Sequence, residues 1–286
     1  MSFRLLPILL AALAFAAPLH AQSPGDPPLD PACPRGDLNV PRPPGSVCIG
    51  RLTDDYAFSF IYPRAAVAIP TVDAMLREQA VAAEAWITAR VAEDRAQHEA
   101  ADENPPRLTY EAGWTADAVA PEIAGFSGTI AHYTGGAHGG MEYEAILFDR
   151  TRGRPIILRE LFEPGLFETS LFGRRLDGMQ ALQDAFCREL TRSMRERRDN
   201  PDEVVQCPAI EGQPVTLVCS AEIGRITAFM ALLNPYVAGS WSEGPYEIRI
   251  PIDARIMARL WGRYRPAFGL AQESGAPPRR GGCSSP

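Results

Sequence analysis

The segment His132-Tyr133-Thr134-Gly135-Gly136-Ala137-His138-Gly139-Gly140 carries two of the chain's four histidines in a turn rich in glycine. Imidazole suits metal ligation, proton transfer or a ligand contact. Glycine adds positive φ and close approach by another group. For a metal, His132 and His138 lack the i, i+4 spacing of a helical H-E-x-x-H site, so a hairpin would have to supply Glu142 or Glu144 as a third ligand. Both acids project from one side of a strand, which permits such a trio. The same alternation also fits a half-buried strand with Tyr143 inward and the acids in solvent. Nothing in the spacing fixes the carboxylate separation that glycoside hydrolysis needs. We therefore expect no catalytic residue, no metal ligand and no cofactor. His132, Tyr133, Gly135, Gly136 and His138 are instead candidates for contact with a ligand or partner, with His138 also able to brace its own turn.

Other nucleophiles are poorly placed. Gly125-Phe126-Ser127-Gly128-Thr129 contains Gly-x-Ser but lacks the second glycine of the nucleophile elbow, and no helix pattern follows it. The second distinctive stretch is residues 234–246, Asn-Pro-Tyr-Val-Ala-Gly-Ser-Trp-Ser-Glu-Gly-Pro-Tyr. Aromatic side chains in such a loop make recognition surfaces at low entropic cost. Tyr236, Trp241 and Tyr246 join the contact candidates; the competing expectation is that Tyr236 and Tyr246 plug the core while Trp241 covers a loop.

Composition narrows the partner class. The formal charge is −7, and every one of the 28 basic residues is arginine. An acidic chain is a poor partner for nucleic acid. Arg4, the apolar run 5–17 and small residues up to Ala21 form an export-signal pattern with cleavage near Ala21. That run is too short to span a bilayer comfortably, and no later run approaches spanning length. A periplasmic or secreted protein without a transmembrane anchor is expected. Six cysteines with no C-x-x-C pair agree with an oxidising compartment. Local spacing favours Cys33 with Cys48 and Cys207 with Cys219, leaving Cys187 and Cys283 over.

The elements that must position these residues follow from periodicity. Residues 22–50 form a proline-rich arm. Residues 56–62 alternate as a strand. Val72, Leu76, Ala80, Ala83, Ile87 and Val91 repeat at helical spacing across 72–99. Period two then marks strands at 107–114, 125–133, 141–149 and 155–161, an antiparallel meander with the histidine turn as one hairpin connection. A second amphipathic helix spans 176–197, strands follow at 215–219, 225–233 and 246–250, and a short helix at 252–261. The fold class is α+β, mainly antiparallel sheet with two long amphipathic helices.

Tyr-Thr-Gly-Gly-Ala-His-Gly at 133–139, Ile-Leu-Arg-Glu-Leu-Phe at 157–162, Pro-Tyr-Val-Ala-Gly at 235–239 and Tyr-Glu-Ile-Arg-Ile-Pro at 246–251 together resemble a bacterial extracytoplasmic domain of largely unknown function. It forms the outer part of RsiV-type lysozyme-sensing anti-sigma factors and an accessory part of PdaC-type peptidoglycan deacetylases. Composition divides off a signal peptide over 1–21, the arm over 22–50 and a disordered tail over 271–286, and the resemblance implies a small strand-helix subdomain over 51–115 and the RsiV-like domain over 116–270. It also implies a non-enzymatic binding role at the cell envelope, with lysozyme or peptidoglycan fragments as partners. The alternatives are a metal-assisted envelope hydrolase using His132, His138 and Glu142, and a purely structural envelope protein.

Overall fold

The computed structural model describes residues 33, 38, 40–101, 106–163, 178–271 and 283 of the 286. The signal segment 1–21 lies outside the described residues, as do the first part of the arm and, apart from residues 271 and 283, the tail. Elements run β1 (Val47–Leu52), β2 (Tyr56–Tyr62), α1 (Arg64–Val67), α2 (Pro70–Ala101), β3 (Leu108–Val119), β4 (Ile123–Tyr133), β5 (Gly140–Asp149) and β6 (Arg154–Ile156). Then come α3 (Gly178–Arg198), β7 (Val215–Ser220), β8 (Arg225–Leu233), β9 (Tyr246–Pro251) and α4 (Ala254–Met257). Strands β1 to β6 form one sheet in sequence order, and β7 to β9 form a second. The pairs are antiparallel except β2 with β3, which are parallel because α2 carries the chain back across the sheet. The architecture is α+β, and the expected boundary between residues 115 and 116 falls inside the continuous strand β3.

Helix α2 begins with proline at its first position and aspartate in its first turn, both favourable at a helix N-terminus. Its apolar stripe, Val72, Leu76, Ala80, Ala83 and Ile87, is buried against Phe58, Phe60, Tyr62, Ala112, Trp114 and Phe126 on one face of the large sheet. Asp73 accepts hydrogen bonds from the Tyr62 hydroxyl and the Arg77 guanidinium, both at 2.9 Å, and pins the helix start. The opposite face has two covers. Near β2 and β3 the arm lies across it: Val40 packs with Ile61 and Ala131, and buried Glu111 accepts from the Leu38 amide and from Arg42. Farther along, Ile123, Leu147 and Ile156 join one core with the second sheet and with Leu182, Phe186, Leu190 and Met194 of α3.

Two buried hydrogen bonds tie that second cover down. Thr216 donates to Asp117 at 2.8 Å, and the Tyr264 hydroxyl donates to Asp149 at 2.6 Å. Charge-assisted bonds of this kind are shorter and stronger than neutral ones. Asp149 also accepts from Thr151 and the Arg152 amide; these bonds outweigh its desolvation and hold its pKa below the usual carboxylate range.

Three expectations need correction. The last residues of the arm form the edge strand β1, with Cys48 opposite Ile61. The predicted strand at 155–161 is only three residues long, followed by a 3-10 turn at Leu158–Leu161. The disulfides are Cys33–Cys48, Cys187–Cys207 and Cys219–Cys283, so Cys207 joins α3 rather than β7. Short separation favours Cys207 with Cys219, but Cys219 is buried in the core and is bonded there to buried Cys283. The three bridges fit an extracytoplasmic protein. Among the described residues no helix is long and apolar enough to cross a membrane.

Candidate functional site

The hairpin joining β4 to β5 brings the histidine turn to the end of the large sheet. Gly135 and Gly136 have φ of +86° and +90°, a region closed to most side chains, so the turn requires them. The Tyr133 hydroxyl donates to the Gly136 carbonyl at 3.2 Å, and His138 Nδ1 donates to the Gly139 carbonyl at 2.9 Å. The turn is therefore braced from within.

Beyond the turn, His138 meets the other distinctive stretch. Its ring stacks on Trp241 with centroids 4.6 Å apart and planes 21° apart. Tyr236 stands 6.1 Å from the same indole. Tyr236 is 67% exposed and holds φ of +71°, one of two non-glycine residues in the left-handed region among the described residues. Such a conformation costs about 1–2 kcal/mol for an ordinary residue. The Tyr236 ring stands in solvent beside Trp241. Asn234, two residues earlier, accepts the Tyr143 amide at 2.6 Å and so ties this loop to the open edge of β5.

Glu243 organises the loop from the inside. It accepts from the Tyr246 hydroxyl at 2.7 Å, from the Ser240 amide at 3.1 Å and from Arg198, and these bonds lower its pKa to about 2. Tyr246 itself is 1% exposed, with the Arg197 guanidinium 3.9 Å over its ring. Tyr246 thus plugs the core, as the competing expectation had it, while Tyr236 faces solvent.

His132 goes elsewhere. Its ring points to the α2 side of the sheet and packs edge-on against Trp86 at 5.2 Å. Gly140, its partner across β4 and β5, leaves the space: a Cβ there would stand inside the imidazole. Burial lowers the His132 pKa, opposed by nearby Glu142. The two histidines therefore serve different faces, and the trio of His132, His138 and Glu142 is not assembled. Among the described residues no group of three or more histidine, cysteine or acidic side chains is gathered for a metal. Glu144 also departs from the simple alternation, because α2 covers its face: Gln79 donates to it and desolvation raises its pKa. Ser127 is buried and bonded to Thr115 at 3.0 Å, a structural position. A concave surface along α3, lined by Arg188, Arg192 and Arg195, shares no residue with either histidine.

Trp86 and Tyr110 are the site residues that sequence reasoning missed. One signal was available, since Trp86 falls off the apolar stripe of α2 and is 40% exposed.

Two sheets and two long helices define an α+β protein. No protein-family model and no curated protein matches the sequence. Among solved structures, the chain is similar to a DUF3298 family member from Bacteroides fragilis NCTC 9343, with 14% identity, TM-score 0.48, and coverage of 80% of this chain and 96% of that one. It is also similar to a DUF3298 family protein from Pseudomonas aeruginosa PAO1, with 13% identity, TM-score 0.45, and coverage of 83% and 99%.

Proposed function

We propose that this protein is an exported, non-enzymatic binding module of the cell envelope, and that Tyr236, Trp241 and His138 form its contact surface. The observation that carries this reading is the strained, exposed Tyr236 beside an indole stacked on His138. Backbone strain kept at an exposed aromatic cluster is a mark of a binding site rather than of packing. His132, Tyr133, Gly135 and Gly136 act by shaping the turn that presents His138. The residue resemblance to RsiV-type and PdaC-type outer domains supports lysozyme or a peptidoglycan fragment as partner. Aromatic faces suit either a protein anchor or a sugar ring. The acidic charge suits a basic protein.

The test is calorimetry and NMR on the mature chain with lysozyme and, separately, with muropeptides. Binding of one partner, weakened by Trp241→Ala or His138→Ala in a protein that stays folded, is the expected result. If neither partner binds, the reading fails and a purely structural role, to which the internal bracing of the turn already lends itself, takes its place. Stoichiometric zinc retained through purification without a histidine tag, and lost on His132→Ala, would instead favour the metal-assisted hydrolase.

A further inference from the structure

The C-terminal half of α3 carries a second constellation, which shares no residue with the aromatic tip. A groove of about 750 Å³ runs along the helix and is lined by Arg188, Thr191, Arg192 and Arg195. Spacings of three, four and seven residues put these side chains on one helical face. Asn200 bounds the groove where the chain leaves the helix. There the chain reverses through Asp199, whose φ is +50°, and the Asn200 amide donates to the Arg195 carbonyl at 3.1 Å. The returning segment is tied back to α3 by the Cys187–Cys207 bridge and by Gln183, which donates to the Pro208 carbonyl at 3.0 Å and accepts from the Ile210 amide at 2.8 Å. Such ties preform the groove and lower the ordering cost of filling it.

The three arginines differ in how far their charge is met. Arg192 pairs with Glu189 at 2.9 Å and with Glu196 at 3.0 Å, so its guanidinium is neutralised. Arg195 donates from Nε and Nη2 to the Glu203 carbonyl at 3.1 and 3.0 Å, a neutral acceptor that leaves its charge uncompensated. Arg188 makes no hydrogen bond or ion pair among the described residues. Two open guanidiniums therefore flank a filled one, and the helical rise sets their backbone positions about 10 Å apart along the axis.

We infer that this groove binds an acidic segment of another protein in extended form, with Arg188 and Arg195 each taking one carboxylate. The planar guanidinium fork is matched to a carboxylate. An extended chain rises about 3.3 Å per residue, so acids three residues apart span the same length as the two arginines. A phosphate or other compact polyanion asks for cations gathered at one point, and here the arginine in between is already filled. The Glu196 and Asp199 carboxylates in the lining also repel a dense negative charge. Peptide amides suit the same lining, because Asp199 accepts, Thr191 does both, and Asn200 offers both donor and acceptor. The chain's formal charge of −7 opposes an acidic partner at long range, so recognition comes from the two guanidiniums at contact.

The experiment titrates the mature protein with the peptide acetyl-Glu-Ala-Ala-Glu-amide while following backbone amides and arginine Nε–H signals by NMR. The acetyl-Gln-Ala-Ala-Gln-amide analogue and inorganic phosphate are run in parallel. A saturable shift along residues 188–200 with the acidic peptide alone is expected, weakened roughly fivefold or more by Arg188→Gln and by Arg195→Gln. Arg188 has no bond to lose, so a loss of affinity in its variant reads the contact and not the fold. Arg225→Gln removes the same charge from the start of β8, outside the groove, and is expected to leave the affinity unchanged. No shift, an equal shift with the glutamine analogue, tighter binding of phosphate at the same residues, or an equal loss in Arg225→Gln would overturn the inference. Trp241→Ala leaves the expected shift intact, so this groove and the aromatic tip fail separately.

Discussion

His132 and His138 share one hairpin, and each packs on a tryptophan, but the two surroundings are opposite in kind. On the α2 side, Trp86 packs edge-on to His132, and the carboxylate of that face, Glu144, is desolvated and raised in pKa. At the tip, His138 and Trp241 stack in the open, over a carboxylate, Glu243, that is saturated with donors and lowered to about 2. The difference shows how the two faces of one hairpin treat a carboxylate: Glu144 takes the Gln79 amide and is desolvated, whereas Glu243 is held by Tyr246, Ser240 and Arg198 with aromatic surface beside it.

Several substitutions break this contrast selectively. Trp241→Ala removes the centre of the tip and is expected to weaken partner binding by more than about 2 kcal/mol, the scale of an interface hot spot, with the Trp86 signal unchanged. Calorimetry on variant and parent measures it. Gly140→Val drives a Cβ into the His132 ring and is expected to cost roughly 1–3 kcal/mol in urea unfolding, while partner binding at the tip survives. Tyr236→Gly should do the reverse of a normal core mutation: relief of the positive φ offsets lost packing and raises stability by up to about 1 kcal/mol, yet binding falls. Such opposite signs would show that the strain is kept for contact.

The smallest effects lie in pH dependence, and they differ in sign. Glu144 has a raised folded pKa, so its contribution is present below the ordinary value of 4.5 and lost as pH rises through the folded value. Glu144→Gln is therefore expected to be more stable than the parent at neutral pH, with the advantage vanishing below pH 4.5. Glu243 has a lowered pKa, so its contribution is present above 4.5 and lost as pH falls toward about 2. Glu243→Gln is expected to be less stable at neutral pH and to converge with the parent near pH 2. Thermal unfolding across pH compares the two.

Local periodicity was enough for much of this architecture. The apolar stripe of α2 and the period-two runs of β2 to β5 announce themselves because each buries one continuous face. What stayed hidden depends on contacts between distant segments. Strand β1 follows a run of prolines and contains Gly50, so its pairing with β2 has no local signature. Cys33–Cys48 is the pairing that local spacing favours, but the other two disulfides follow through-space proximity, with Cys219 and Cys283 separated by 64 residues. Glu142 is exposed as its alternation with Tyr143 suggests, but Glu144 would face solvent only if the sheet had one covered face, and here both faces are covered in part. Within the site, the tip residues Tyr236, Trp241 and His138 were legible as unusual stretches, though not as neighbours. The surroundings of His132 were not, because Trp86 and Tyr110 reach it from a helix and a strand that precede it.

The most direct test follows the indole N–H signals of Trp241 and Trp86 together by NMR while lysozyme, and in a separate titration a muropeptide, is added to the mature protein. The account predicts that one of these partners moves the Trp241 signal and the Tyr236 amide saturably, and that Trp241→Ala abolishes the binding without altering the fold. A Trp241 signal unmoved by both partners would contradict it.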